Sequence, residues 1–171
     1  MAYTIAHQEF TTMHRPRLHR AKALLIAALA VSGCAFNSVH PGMSRDDVLA
    51  HMGTPTRILP MEAGITRLQY SRQPAGQQVF NVDLDATGRV LSVLQMLEEQ
   101  EFARIVVDQW TREDVERAFG PPASIDHVGN WPADIMTYRW LEVQSMFYWV
   151  YLDHNNVVRR TGKGVEYPVD D

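Results

Sequence analysis

The chain has 171 residues, with 16 Lys and Arg against 20 Asp and Glu and a formal net charge of −4. Hydrophobic residues make up 46% and charged residues 21%, a globular composition that excludes disordered, collagen-like and multi-span classes. The mildly acidic balance argues against nucleic acid as a partner, and a single Cys excludes an internal disulfide and a cysteine-rich zinc site.

The first 33 residues read as a leader. Arg15, Arg17, Arg20 and Lys22 precede an uncharged apolar run over residues 23–31 (ALLIAALAV). A membrane-spanning helix needs about 20 such residues, so this run is too short for a permanent span. A basic stretch, a short apolar stretch and then small residues form the layout of a secretory signal peptide. The small residues Val31, Ser32 and Gly33 lead directly into Cys34, the only cysteine. That order resembles a bacterial lipobox, with Val31 where such boxes more often carry Leu. The resemblance implies that Cys34 receives a diacylglycerol and palmitate-type acyl anchor and becomes the first residue of the mature chain. A start at Met13 gives a leader of normal proportions, so Met1 and Met13 are both candidate starts. Residues 1–33 are assigned to a lipoprotein signal peptide and kept out of the fold.

The remainder reads as an internal repeat. Met43-Ser44-Arg45-Asp46-Asp47-Val48 aligns with Trp110-Thr111-Arg112-Glu113-Asp114-Val115, and Gly53-Thr54-Pro55 with Gly120-Pro121-Pro122. After one inserted residue Tyr70 falls on Tyr138, and Leu84-Asp85 on Leu152-Asp153. The assigned divisions are residues 34–96, residues 97–162 and a C-terminal tail over residues 163–171.

Within each repeat, Ser44 and Thr111 are N-cap residues, with Asp47 and Asp114 three positions on in capping-box register. Gly53 and Gly120 stop the helices, and a proline follows each. Strand-like runs follow at residues 66–72, 77–85 and 89–94, and again at 135–142, 145–153 and 157–161. Residues 56–59 and 124–128 predict an added edge strand in each copy. Gly88 and Asn156 occupy equivalent hairpin positions where positive φ is expected. Residues 98–107 predict a second helix in the later copy, matched in the earlier one only by residues 36–41. The expected fold class is α+β: two tandem repeats, each a short helix pair packed on a three- to four-stranded antiparallel sheet.

A lipobox, then Pro41-Gly42-Met43-Ser44 with Val48, then Leu49 to Pro55, Arg72-Gln73-Pro74 and Asp85 to Val90, resembles the small outer-membrane lipoprotein A (SmpA/OmlA, BamE-like) family. The likeness covers about residues 36–95 and again 98–162. The family's best-known member has one copy of this unit. Two copies in tandem are similar in architecture to the secreted β-lactamase-inhibitor proteins. The family resemblance implies a lipid-anchored accessory or scaffold protein on the periplasmic face of the outer membrane. It would serve β-barrel assembly or envelope integrity, with assembly subunits or other envelope proteins as partners. Ala35 after the cysteine resembles lipoproteins sent on to the outer membrane. The alternative is a periplasmic enzyme-inhibitor or ligand-binding module.

No catalytic constellation is legible, and a non-enzyme without cofactor or metal is expected. His40, His51, His127 and His154 lie in no metal-ligand spacing. Asp83, Asp85, Asp126 and Asp134 are the carboxylates from which an acid–base pair could be drawn, but Asp85 and Asp153 read better as turn-entry residues. The candidate partner surface is the strand at residues 145–153. Alternation places Tyr148, Val150 and Leu152 toward the core and Phe147, Trp149 and Tyr151 on the other face. The first copy carries Val79, Asn81 and Asp83 there, so its face is expected to be solvated. An aromatic stripe in that place suits a docking surface, or packing against the first copy or the tail.

Overall fold

Both capped helices form in the computed structural model, which describes residues 38–167. The first half runs α1 (Arg45–Met52), β1 (Arg57–Pro60), β2 (Thr66–Ser71), β3 (Val79–Leu84) and β4 (Val90–Gln95). The second runs α2 (Glu99–Phe102), α3 (Arg112–Phe119), β5 (Ser124–Asp126), β6 (Ile135–Leu141), β7 (Ser145–Leu152) and β8 (Val158–Val165). Each half builds a four-stranded antiparallel sheet with its strands in sequence order. The architecture is α+β.

The two halves match bond for bond at their helix ends. Ser44 and Thr111 each close a capping box with the aspartate three residues on. Gly53 (φ 75°) and Gly120 (φ 77°) terminate α1 and α3. Tyr70 donates its hydroxyl to the Gly53 carbonyl at 3.2 Å, and Tyr138 to the Gly120 carbonyl at 2.8 Å. The segment entering each helix is clamped to the last strand of its sheet, through Val90 N–H to Met43 O and Val158 N–H to Trp110 O. Gly88 (φ 79°) and Asn156 (φ 59°) take the left-handed conformation in equivalent turns, as their residue types predict.

The helix pairs expected for each repeat are not there. The first half has α1 alone; from Ser38 to Gly42 the chain makes only a single-residue 3-10 position and turns. In the second half α2 spans four residues rather than the ten expected over residues 98–107. Its N-cap Glu98 makes no side-chain capping bond, and the β-branched Ile105-Val106-Val107 run that follows disfavours helix continuation. Asp108, at φ 66°, then turns the chain away. The last strand also runs beyond the expected residues 157–161, because β8 carries its pairing to Val165 opposite Met146.

The sheets pack in series, within one compact unit. The inner face of β1–β4 buries Leu68, Val82 and Leu84 against Val48 of α1. The inner face of β5–β8 buries Met136, Tyr138, Val150 and Leu152 against Val115 and Phe119 of α3, together with Phe102. The outer face of the first sheet is not solvated: Val79, Gln69 and Asn81 are fully buried. The C-terminal turn of α3 lies on it. The last carbonyls of a helix lack intrahelical donors, and the first sheet supplies them. Gln69 donates to the Glu116 and Arg117 carbonyls, Arg67 to Arg117, and Asn81 to Ala118 at 2.8 Å. The expectation that Asn81 faces water is thereby corrected. Alternation on a strand assigns residues to a face but cannot say what covers it.

Candidate functional site

β7 sits inside its sheet, paired to β6 and β8. Val150 and Leu152 are fully buried, and Tyr148 stacks on Phe102 with ring centroids 4.0 Å apart. Phe147, Trp149 and Tyr151 project from the opposite face, and each is half-buried. This face corresponds to the one that receives α3 in the first sheet. The donors there are replaced: Arg67, Gln69 and Asn81 align with Ile135, Thr137 and Trp149. Among the described residues no helix end lies on it.

The face is levelled from below. Gly162 and Gly164 stand on β8 beside Trp149 and Phe147. A Cβ added to Gly164 would meet the Trp149 ring at 2.7 Å, and one added to Gly162 would meet it at 3.6 Å. The indole therefore lies over the glycines, tilted 34° from Phe147 at 6.0 Å. At one end Arg160 stacks on Tyr151, its guanidinium carbon 3.9 Å from the ring centroid, a cation–π contact. Trp131 meets Tyr151 edge-on and donates its indole N–H to the Leu152 carbonyl at 2.7 Å. At the other end Arg139 is anchored by the Glu166 carboxylate and the Pro74 carbonyl, both at 2.7 Å. Gln73 inserts its amide against the Arg139 backbone. The loop holding Gln73-Pro74 thus ties the first half to β6.

The stripe was legible from alternation in the sequence. Its supporting residues Trp131, Arg160, Gly162 and Gly164 were not assigned there. Two glycines at alternate positions of an edge strand were the available signal, since they leave one face of the sheet bare.

The remaining candidates are not brought together. Asp85 accepts from the backbone N–H groups of Thr87 and Arg89, and Asp153 from those of Asn155 and Val157. Those backbone donors, with Arg89's first for Asp85 and Val157's first for Asp153, hold both carboxyls below the usual aspartate range. Asp134 is lowered first by its bond to Arg112 and also meets His127. Asp83 pairs with Arg67, and Asp126 accepts from Thr137. Among the described residues no group of three His, Cys, Asp or Glu is placed to hold a metal. Nor is any helix there long and apolar enough to cross a membrane. Cys34 lies outside the described residues.

No family model and no curated protein matches the chain. Solved structures that resemble it include a DUF4309 family protein from Bacillus subtilis, at 12% identity, over 80% of this chain and 93% of that one, with a TM-score of 0.30. A cysteine-rich secretory protein from Staphylococcus aureus matches over 72% of this chain at 12% identity and a TM-score of 0.29. An extracellular SCP-domain protein from Bacillus anthracis matches over the same share at 17% identity and a TM-score of 0.29. The chain spans 43% of the length of each of these last two.

Proposed function

We propose that this chain is a non-enzymatic, lipid-anchored scaffold of the outer membrane that docks an envelope protein on the outer face of its second sheet. The observation that carries the docking reading is the contrast between two equivalent faces. One is closed by α3 through hydrogen-bond donors, while the other presents a glycine-floored aromatic stripe. Half-buried aromatics on a rigid sheet combine large contact area with little side-chain entropy to lose, as interface anchors do. The anchor and location rest on the lipobox-like run ending at Cys34 and on Ala35. A β-barrel assembly subunit is the partner that the family resemblance favours; a soluble enzyme would mark an inhibitor instead.

Two measurements test this reading. Wild-type chain incorporates labelled palmitate and sediments with membranes, whereas Cys34→Ser, lacking the thiolate nucleophile, does neither; a labelled serine variant refutes the anchor. Affinity purification from detergent-solubilised membranes recovers envelope subunits with the wild type, and Trp149→Ala weakens that capture by about 2 kcal/mol. Unchanged capture refutes the docking face.

A further inference from the structure

A second surface lies on the edge of the same sheet. β8 is its last strand, and the Glu166 N–H donates to the Ser145 carbonyl at 2.9 Å. Counting back by twos, Gly164, Gly162 and Arg160 turn their main-chain groups toward β7, as antiparallel pairing requires. The N–H and C=O groups of Thr161, Lys163 and Val165 therefore point outward. The segment before α3 clamps β8 only at Val158. Among the described residues no hydrogen bond takes up the groups beyond it. The other edge strands are shorter: β1 has four residues and ends on a proline, β5 has three and β4 six, against eight in β8.

Beside this edge, between β8 and α2, lies a pocket of about 230 Å³. Phe102, Trp140 and Tyr148 form its apolar floor, and Glu99 and Lys163 pair across its rim at 2.5 Å. The Trp140 indole N–H, in a residue 2% exposed, has no partner. Short helix α2 leaves this pocket where a longer one would cover the sheet.

We propose that β8 receives an extended segment of another protein by strand addition, with one apolar side chain of that segment seated in the α2–β8 pocket. Main-chain bonds to Thr161, Lys163 and Val165 supply affinity, and the pocket, reached by every second side chain of the added strand, supplies selectivity. A second copy of β8 is a poor occupant. The strand carries Arg159, Arg160 and Lys163 and no acid, so antiparallel self-pairing would bring like charges together. The same run of positive residues with no acid among them favours an acidic or neutral incoming strand. This site is separate from the aromatic face and does not depend on it.

The test is selection of a random octapeptide phage library on the full chain, followed by amide hydrogen exchange of the complex with the enriched peptides. Enriched peptides carry an apolar residue and slow exchange at Thr161, Lys163 and Val165. Lys163→Pro, which deletes an outward N–H, weakens their binding about tenfold or more, and at least about threefold more than Lys163→Ala, which loses the rim amine but keeps that N–H. Ala103→Trp, at the exposed residue that follows α2 and lines the pocket, fills the pocket without touching the edge, and it decides the matter by the same loss should the proline variant fail to fold. No enrichment, protection elsewhere, or equal binding to Lys163→Pro and Ala103→Trp overturns the proposal. Peptides lost only with Trp149→Ala also overturn it, while supporting the aromatic docking face.

Discussion

The indole of Trp149 lies against Gly164, so closely that a Cβ on that glycine would fall 2.7 Å from the ring. Gly164→Ala must therefore lift the indole, an overpacking change that costs about 1–3 kcal/mol. Tryptophan fluorescence and a denaturant melt of the variant measure both effects, and an unshifted melt with unchanged emission contradicts the geometry. Trp149→Ala separates docking from packing. On a docking face it leaves stability nearly intact, whereas a cavity in a closed core costs about 3–5 kcal/mol.

The joint between the halves depends on the donors aimed at the end of α3. Asn81→Leu leaves the partly buried Ala118 carbonyl without its 2.8 Å donor. An unsatisfied buried acceptor costs about 1–3 kcal/mol, and equilibrium urea unfolding reads the loss. Thr137→Val, at the corresponding place in the second sheet, removes a bond to Asp126 instead and leaves the inter-half joint intact. Exchange protection of the α3 amides separates the two variants.

The equivalent turns give opposite responses. Gly88→Val forces a β-branched residue to φ 79° and costs about 1–2 kcal/mol or more. Asn156→Gly relaxes a residue already at φ 59° and leaves stability within about 0.5 kcal/mol of wild type. Thermal melts of both variants, recorded together, decide whether the two turns are conformational equivalents.

The capping boxes set the acid limb of stability. Asp114 is held below its ordinary value of 3.8, chiefly by the Thr111 backbone N–H and then by its hydroxyl. A carboxylate with a depressed folded value contributes stability that is fully present above its unfolded value. That contribution is lost as pH falls through the depressed one. The melting temperature of the wild type should therefore drop below about pH 4, through this group among others. In Asp114→Asn, which lacks the titrating group, the drop should be shallower. Parallel acid limbs in the two proteins would show that the capping bond does not carry this linkage.

Much of the fold was legible because its signals are local. Ser44 with Asp47, Thr111 with Asp114, the glycines ending each helix and the residues of the hairpin turns constrain their own backbone. The limits of β2, β3, β4, β6 and β7 follow closely from alternation over a few residues, whereas β8 runs on to Val165 and β5 stops at Asp126. Helix length was less legible. The run at residues 98–107 has helical composition, yet a four-residue helix forms, because nothing caps its start and Asp108 ends the turns that follow.

The facing of the β7 aromatics was likewise set by strand alternation alone, which is why Phe147, Trp149 and Tyr151 could be assigned to one face without coordinates. What covers a face was not. Asn81 reads as a solvated residue and is buried, because α3, far along the chain, brings its unpaired carbonyls to Gln69, Arg67 and Asn81. Trp149 occupies the corresponding position with glycines beneath it and no helix above it among the described residues. Backbone preference is a property of a few neighbouring residues and is written in their order. Burial and hydrogen-bond satisfaction belong to surfaces that meet only when distant segments fold together, and only the tertiary structure decides them.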